Sequence, residues 1–213
     1  MINLLKNPSF IKVLFYVLLN PIIFPAMATE EPEFTLISQE NSIEIREYQP
    51  KIIARVEVEG DFDDASSKGF KLLADYIFGN NVLDGETQKI SMTAPVEMTP
   101  LVEDIVITSA IMSSEVNHKW QVNFVMPKEY TMDTLPQPNN DQIKIIEIPK
   151  EKYAVIVFSG LVRDSSYSEK AQLLNDFIMA NNFTQLEAIK IARYNPPWTL
   201  PFFRRNELMV KIR

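Results

Sequence analysis

The chain has no cysteine and one histidine among its 213 residues. Without cysteine it can build no disulfide, thiolate nucleophile, iron–sulfur cluster or cysteine zinc site. With only His118, every mechanism that needs two imidazoles is excluded, and a Ser-His-Asp triad would have to use that residue. Bases are also scarce: 21 Lys and Arg stand against 28 Asp and Glu, a net charge of -7. That balance argues against a nucleic-acid partner, which needs a basic stripe. What is there is ordinary for a globular chain, with 46% hydrophobic, 23% charged and 10% aromatic residues. No carboxylate pair is marked by its neighbours as an acid beside a base, so catalysis is the weakest reading and binding the stronger one.

The N-terminal apolar run, Val13 to Leu19, stops at Asn20-Pro21 and falls short of the roughly 20 residues that span a bilayer. Lys6 and Lys12 precede it and Ala26-Met27-Ala28 follows. A basic lead, a short apolar core and a small-x-small site read as a secretory signal peptide, residues 1–28, cut after Ala28. The mature chain would then be exported, periplasmic or secreted, with no membrane span. Losing two lysines and no acid leaves 19 bases against 28 acids, a charge of -9. Residues 29–42 are an N-terminal extension leading into the first strand.

An internal repeat organises the remainder, residues 43–213, as a single domain. Ile43 to Gly60 aligns without gaps on Ile143 to Gly160, matching Ile43, Ile45, Glu47, Ala54 and Gly60 with Ile143, Ile145, Glu147, Ala154 and Gly160. One residue later in register, Leu72-Leu73-Ala74-Asp75-Tyr76-Ile77 and Asn80-Asn81 align on Leu173-Leu174-Asn175-Asp176-Phe177-Ile178 and Asn181-Asn182. The units are 43–135 and 141–213, joined by the proline-marked Leu135 to Asn140. In each, alternating β-branched residues predict two strands with a turn between them, at Tyr48 to Lys51 and at Pro149 to Lys152. A helix follows, started by Asp61 in one unit and in the other by Ser166, with Glu169 completing a capping box. Two strands close each unit: near Lys89 to Met92 and Trp120 to Met126, then Ala188 to Tyr194 and Glu207 to Ile212. An added strand is expected at Asp104 to Met112. The result is an α+β fold, a pseudo-two-fold ββαββ duplication forming an antiparallel sheet of eight or nine strands with two helices.

The helix after Asp61 has the most informative pattern. Phe62, Ala65, Gly69, Leu72, Leu73, Tyr76 and Ile77 share one face, as packing on a sheet requires. Phe70, Ala74 and Phe78 fall on successive turns at its flank and widen the apolar surface beyond what one sheet covers. Leaving Phe70 and Phe78 in water forgoes roughly 1.5 to 3 kcal/mol each, so a loop, a partner or an apolar ligand should sit there.

His118 lies in Ser113 to Lys119, a polar turn between expected strands, where a histidine is usually just solvated. In Tyr194-Asn195-Pro196-Pro197-Trp198-Thr199-Leu200-Pro201-Phe202-Phe203-Arg204-Arg205-Asn206-Glu207, prolines fix an extended aromatic loop. Arg204 and Arg205 either meet a ligand's carboxylates or tie the loop to neighbouring acids and carbonyls, and the second reading is favoured.

Lys89 to Val96, the strand Trp120 to Pro127 and the run Tyr194 to Glu207, in that order and spacing, resemble the SOUL heme-binding protein family. The resemblance covers about Phe34 to Arg213. It implies a distorted antiparallel β-barrel with two helices, and a protein that binds heme or another tetrapyrrole on the first helix; with the signal peptide and no catalytic motif, that protein would be exported and non-catalytic. Phe70, Ala74, Ile77 and Phe78 would form the floor, with Phe70 and Ala74 matching family apolar contacts. The family's basic positions fall here at Ser67, Asp75 and near Thr199, so Lys68, Lys71, Arg204 or Arg205 would have to meet the propionates. His118, outside those motifs, would be the axial ligand if histidine supplies one. The alternatives are a module for another amphipathic small molecule, similar to effector-binding domains of multidrug-response regulators, and a protein-interaction scaffold docking through the helix flank.

Overall fold

The computed structural model describes residues 29–101 and 118–213. The N-terminal segment 1–28 and the strand expected at Asp104 to Met112 lie outside the described residues. Strands β1 (Phe34–Glu40), β2 (Ile43–Tyr48) and β3 (Lys51–Gly60) lead into helix α1 (Phe62–Ile77). The short β4 (Asn81–Val82), then β5 (Val96–Leu101), β6 (His118–Val125) and the short β7 (Gln137–Pro138) complete the first half. β8 (Lys144–Ile148), β9 (Glu151–Phe158), α2 (Asp164–Ala180), β10 (Lys190–Arg193) and β11 (Asn206–Lys211) follow.

Nine strands form one curled antiparallel sheet in the order β1-β2-β9-β11-β10-β5-β6-β3-β8, while β4 and β7 pair separately. The fold is therefore α+β, as the sequence implies, with β1 and β8 as the sheet's two edges. The order holds a surprise. β2 and β3 are consecutive, yet β2 pairs with β9 and β3 with β8. The turns at Tyr48 to Lys51 and Pro149 to Lys152 thus carry the chain from one half of the sheet to the other, and are not hairpins. The first strand of each sequence unit lies in the other unit's half, and the order of the eight strands from β2 to β8 reads as a palindrome.

Three local expectations are corrected. Lys89 to Met92 is irregular, and the strand in its place is β5. Ile90 is buried there, and its N–H donates to the Ile77 carbonyl at the end of α1 instead of to a ladder. The ninth strand of the described residues is β1, inside what the sequence marks as an extension; a two-residue turn with Asn41 at φ 53° returns it onto β2. α2 begins two residues before Ser166, which sits in the first turn and accepts the Arg163 N–H at 2.9 Å.

Each helix covers the strands of its own half. Asp61 caps α1, accepting the Asp64 N–H at 2.8 Å, and Phe62, Ala65, Gly69, Leu73, Tyr76 and Ile77 face β3 and β6. Gly69 is required by closeness: a Cβ there would stand 2.5 Å from a methyl of Val122. Tyr76 also donates to the Pro136 carbonyl at 2.8 Å, pinning the connection between the halves under α1. α2 packs Tyr167, Ala171, Leu174 and Ile178 against β9 and β11. The face away from the helices carries a smaller cluster of Tyr48, Tyr153, Val155, Ala192 and Met209, bordered by buried ions.

Candidate functional site

Helix α1 lies along β6. Phe62 meets the Trp120 ring edge-on at 5.5 Å, and two turns later Phe70 meets Phe124 at 5.4 Å. That contact covers only part of Phe70, which stays 38% exposed, and Phe78 is 58% exposed. Ala74, small and nearly buried, lies between them. The flank expected from the helix pattern is thus two exposed rings, Phe70 and Phe78, with the buried Ala74 between them. Ile77 is not part of it, because it faces the sheet and is buried.

The cations divide sharply. Lys68 pairs with Asp64 at 2.6 Å and donates to the Glu59 carbonyl. Lys71 is exposed and, among the described residues, forms no ion pair. Arg204 donates to the carbonyls of Thr199, at 2.7 Å, and of Pro197. Arg205 grips Glu207 through two nitrogens, at 2.7 and 3.0 Å, reaches Glu31 at 2.9 Å and lies 3.8 Å over the Tyr194 ring. Both arginines therefore tie down the loop, the reading the sequence favours for them.

The structure brings in a cation that the sequence reading passes over. Arg193, the last residue of β10, reaches α1, donating to Ser66 Oγ at 3.3 Å and standing over the Phe62 ring at 5.9 Å. Burial lowers its pKa, an effect that nearby Asp63 opposes and Arg204 reinforces. Ser66 is one helical turn before Phe70, so Arg193 puts positive charge at one end of the apolar strip. Its one sequence signal is that no carboxylate occurs from Ala188 to Asn206.

His118 opens β6, paired with Gly60 just before α1. Phe124, which meets Phe70, lies six residues further along the strand, roughly 20 Å away at about 3.3 Å per residue. The backbone of His118 thus stands at the opposite end of β6 from the contact between Phe70 and Phe124. Among the described residues no three His, Asp or Glu side chains gather as a metal site.

Two other places could hold a small molecule. A cavity of about 460 Å³ lies between the extension and the start of β3; it shares no residue with the helix flank. Its walls carry five acids, Glu30, Glu31, Glu33, Asp133 and Glu147, against Lys51 and Lys128, both already paired with carboxylates, the wrong balance for a ligand bearing carboxylates. On the sheet face away from the helices, the buried Glu97 is held by Lys51 at 2.6 Å and Lys190 at 2.9 Å. Glu207 there is held by Arg46 and Arg205. Each of these carboxylates already has two bases, so neither is free to receive an organic cation.

A family model of SOUL heme-binding proteins matches residues 29–211. The chain belongs to that family. No curated protein sequence matches this SOUL protein. Among solved structures it is similar to the C-terminal domain of EcmrR, with a TM-score of 0.60 and 12% identity over 80% of this chain and 96% of that one. It is also similar to an uncharacterized conserved protein from Listeria innocua, with a TM-score of 0.55 and 11% identity over 88% and 94% of the two chains. A hydrolase from the same organism matches at TM-score 0.52 and 11% identity, over the same shares. At such identities the likeness is one of fold.

Proposed function

We propose that this SOUL protein is an exported, non-catalytic carrier of heme or a related tetrapyrrole, which it holds against the flank of α1. The observation that carries the reading is the pair of exposed rings Phe70 and Phe78 across the buried Ala74, beside Lys71, which forms no ion pair among the described residues, with Arg193 at one end. A porphyrin has an apolar face and two carboxylate arms, and this strip offers matching chemistry to both. Ring burial would supply the affinity, with Phe70 and Phe78 against the macrocycle and Ala74 leaving room for its plane. Lys71 and Arg193 would meet the propionates, and Lys68 could join them by giving up its exposed pair with Asp64. The macrocycle would supply the Soret band, with or without iron, and the chain's own residues would do the holding. Export would follow from removal of residues 1–28, and an intact mass beginning at Thr29 is the expected result for the exported protein.

The test is a titration of hemin, and in parallel of iron-free protoporphyrin, followed at the Soret band. Saturable one-to-one binding of both is expected, with Phe70→Asp reducing affinity by at least tenfold and His118→Ala leaving it unchanged. Equal binding by Phe70→Asp would remove the site from α1. Loss of hemin binding alone in His118→Ala would restore histidine ligation.

A further inference from the structure

Between Tyr194 and Asn206 the chain turns outward in a loop whose large apolar side chains stand mostly in solvent, with the Phe202 and Phe203 rings 4.5 Å apart. Trp198, Leu200, Phe202 and Phe203 are 55 to 82% exposed, the most solvent-facing aromatic group of the described residues. A flexible loop could hide such groups by folding back, but this one is braced. Arg204 donates to the Thr199 and Pro197 carbonyls, Thr199 N–H to Pro196 O and Phe203 N–H to Leu200 O. At its root Gly160 N–H donates to Pro201 O, and Asn206 Nδ2 donates back to Gly160 O. The first of these bonds also brings the exposed Leu161 beside the loop. The charge pattern is equally one-sided. From Ala188 to Asn206 the chain carries four bases and no acid, although 28 acids occur along its length, and Arg204 has no carboxylate partner among the described residues.

We propose that this loop docks the protein on a phospholipid surface. Trp198, Leu200, Phe202 and Phe203 enter the interface and Arg204 faces the headgroup phosphates. The side chains are those that favour the boundary between water and hydrocarbon, where an indole finds both an apolar medium and a hydrogen-bond acceptor. Bracing leaves little loop entropy to lose on docking. With a net charge of -7 the rest of the surface is repelled by anionic headgroups, so the acid-free loop is the part that faces them. No described helix is long and apolar enough to cross a membrane, and the four loop side chains proposed to insert reach only the interface.

The two tryptophans make the test specific. Trp198 is at the loop and Trp120 is fully buried, and residues 1–28 contain no tryptophan. Quenching of the full chain by vesicles of equimolar phosphatidylcholine and phosphatidylglycerol with brominated acyl chains therefore reads loop insertion alone. Strong quenching with a blue-shifted emission is expected. The variant Phe202→Ser/Phe203→Ser should lose it by about tenfold, through removal of two inserted rings, while unfolding at the same temperature as the parent. Absence of quenching, or equal quenching in the variant, would overturn the proposal. So would a solution dimer that the variant dissolves, which would assign the patch to a second copy of the chain. Hemin titration reads α1 separately, so either conclusion can fail without the other.

Discussion

Glu97 lies on β5 with its carboxylate almost fully removed from water, and two lysines make that possible. Burial by itself raises its pKa, but Lys190 and Lys51 outweigh burial and hold it at about 2, below the ordinary 4.5. A carboxylate whose folded value is depressed stabilises the fold fully above its unfolded pKa and ceases to as pH falls through the folded one. Urea unfolding measured across pH should therefore show stability falling between about 4.5 and 2, by on the order of 3 kcal/mol from this residue. Glu97→Gln should lose that part of the slope, and at neutral pH should be less stable by roughly 3 to 5 kcal/mol because two buried ammonium groups lose their counter-charge. An unchanged slope would assign the acid sensitivity to other carboxylates. Gly69 carries an equally local prediction. Alanine is normally the better helix residue by about 1 kcal/mol, yet its Cβ would press on Val122. Gly69→Ala should therefore lower the denaturant midpoint, at a cost of about 1 to 3 kcal/mol.

At the scale of elements, α1 is the part most open to sequence reading. Its cap, its sheet-facing residues and its apolar flank all follow from spacing around a helix, a local property. Asp61→Ala should cost about 1 kcal/mol, read by thermal unfolding, because one N–H of the first turn loses its acceptor. The flank's width is legible too, and so is the inward place of Ile77, which the spacing puts on the sheet face and only the family resemblance puts in the floor. β5, by contrast, is illegible. Pro95 and Pro100 argue against a strand there, while Lys89 to Met92 alternates as a strand would. The structure tolerates Pro100 because β10 has ended: its last partner on β5 in that direction is Met98, opposite Ile191. Likewise, an arginine at the end of a four-residue strand carries no mark that it will cross to Ser66 on α1.

For the whole molecule, the exchange of first strands is the decisive feature. β2 depends on β9 for its inner partner, and β3 depends on β8 for its outer one, so neither half of the sheet is complete with one sequence unit alone. A fragment ending at residue 140 should therefore not fold as a monomer. Its far-UV circular dichroism should gain the native strand signal only when residues 141–213 are supplied, and a folded, monomeric fragment by light scattering would refute this dependence. The pairing could not be read beforehand because strand alternation states which face is apolar, not which neighbour supplies the ladder. The sequence by itself determined the periodicity of both units, the broad apolar face of α1 and the acid-free aromatic loop, since each depends on residues close together in the chain. Only the tertiary structure decided that the units trade strands, that Arg204 and Arg205 are committed to the loop, and that Arg193 reaches Ser66 at one end of the strip. Those outcomes depend on register and on contacts between residues as much as 174 positions apart, as Glu31 is from Arg205.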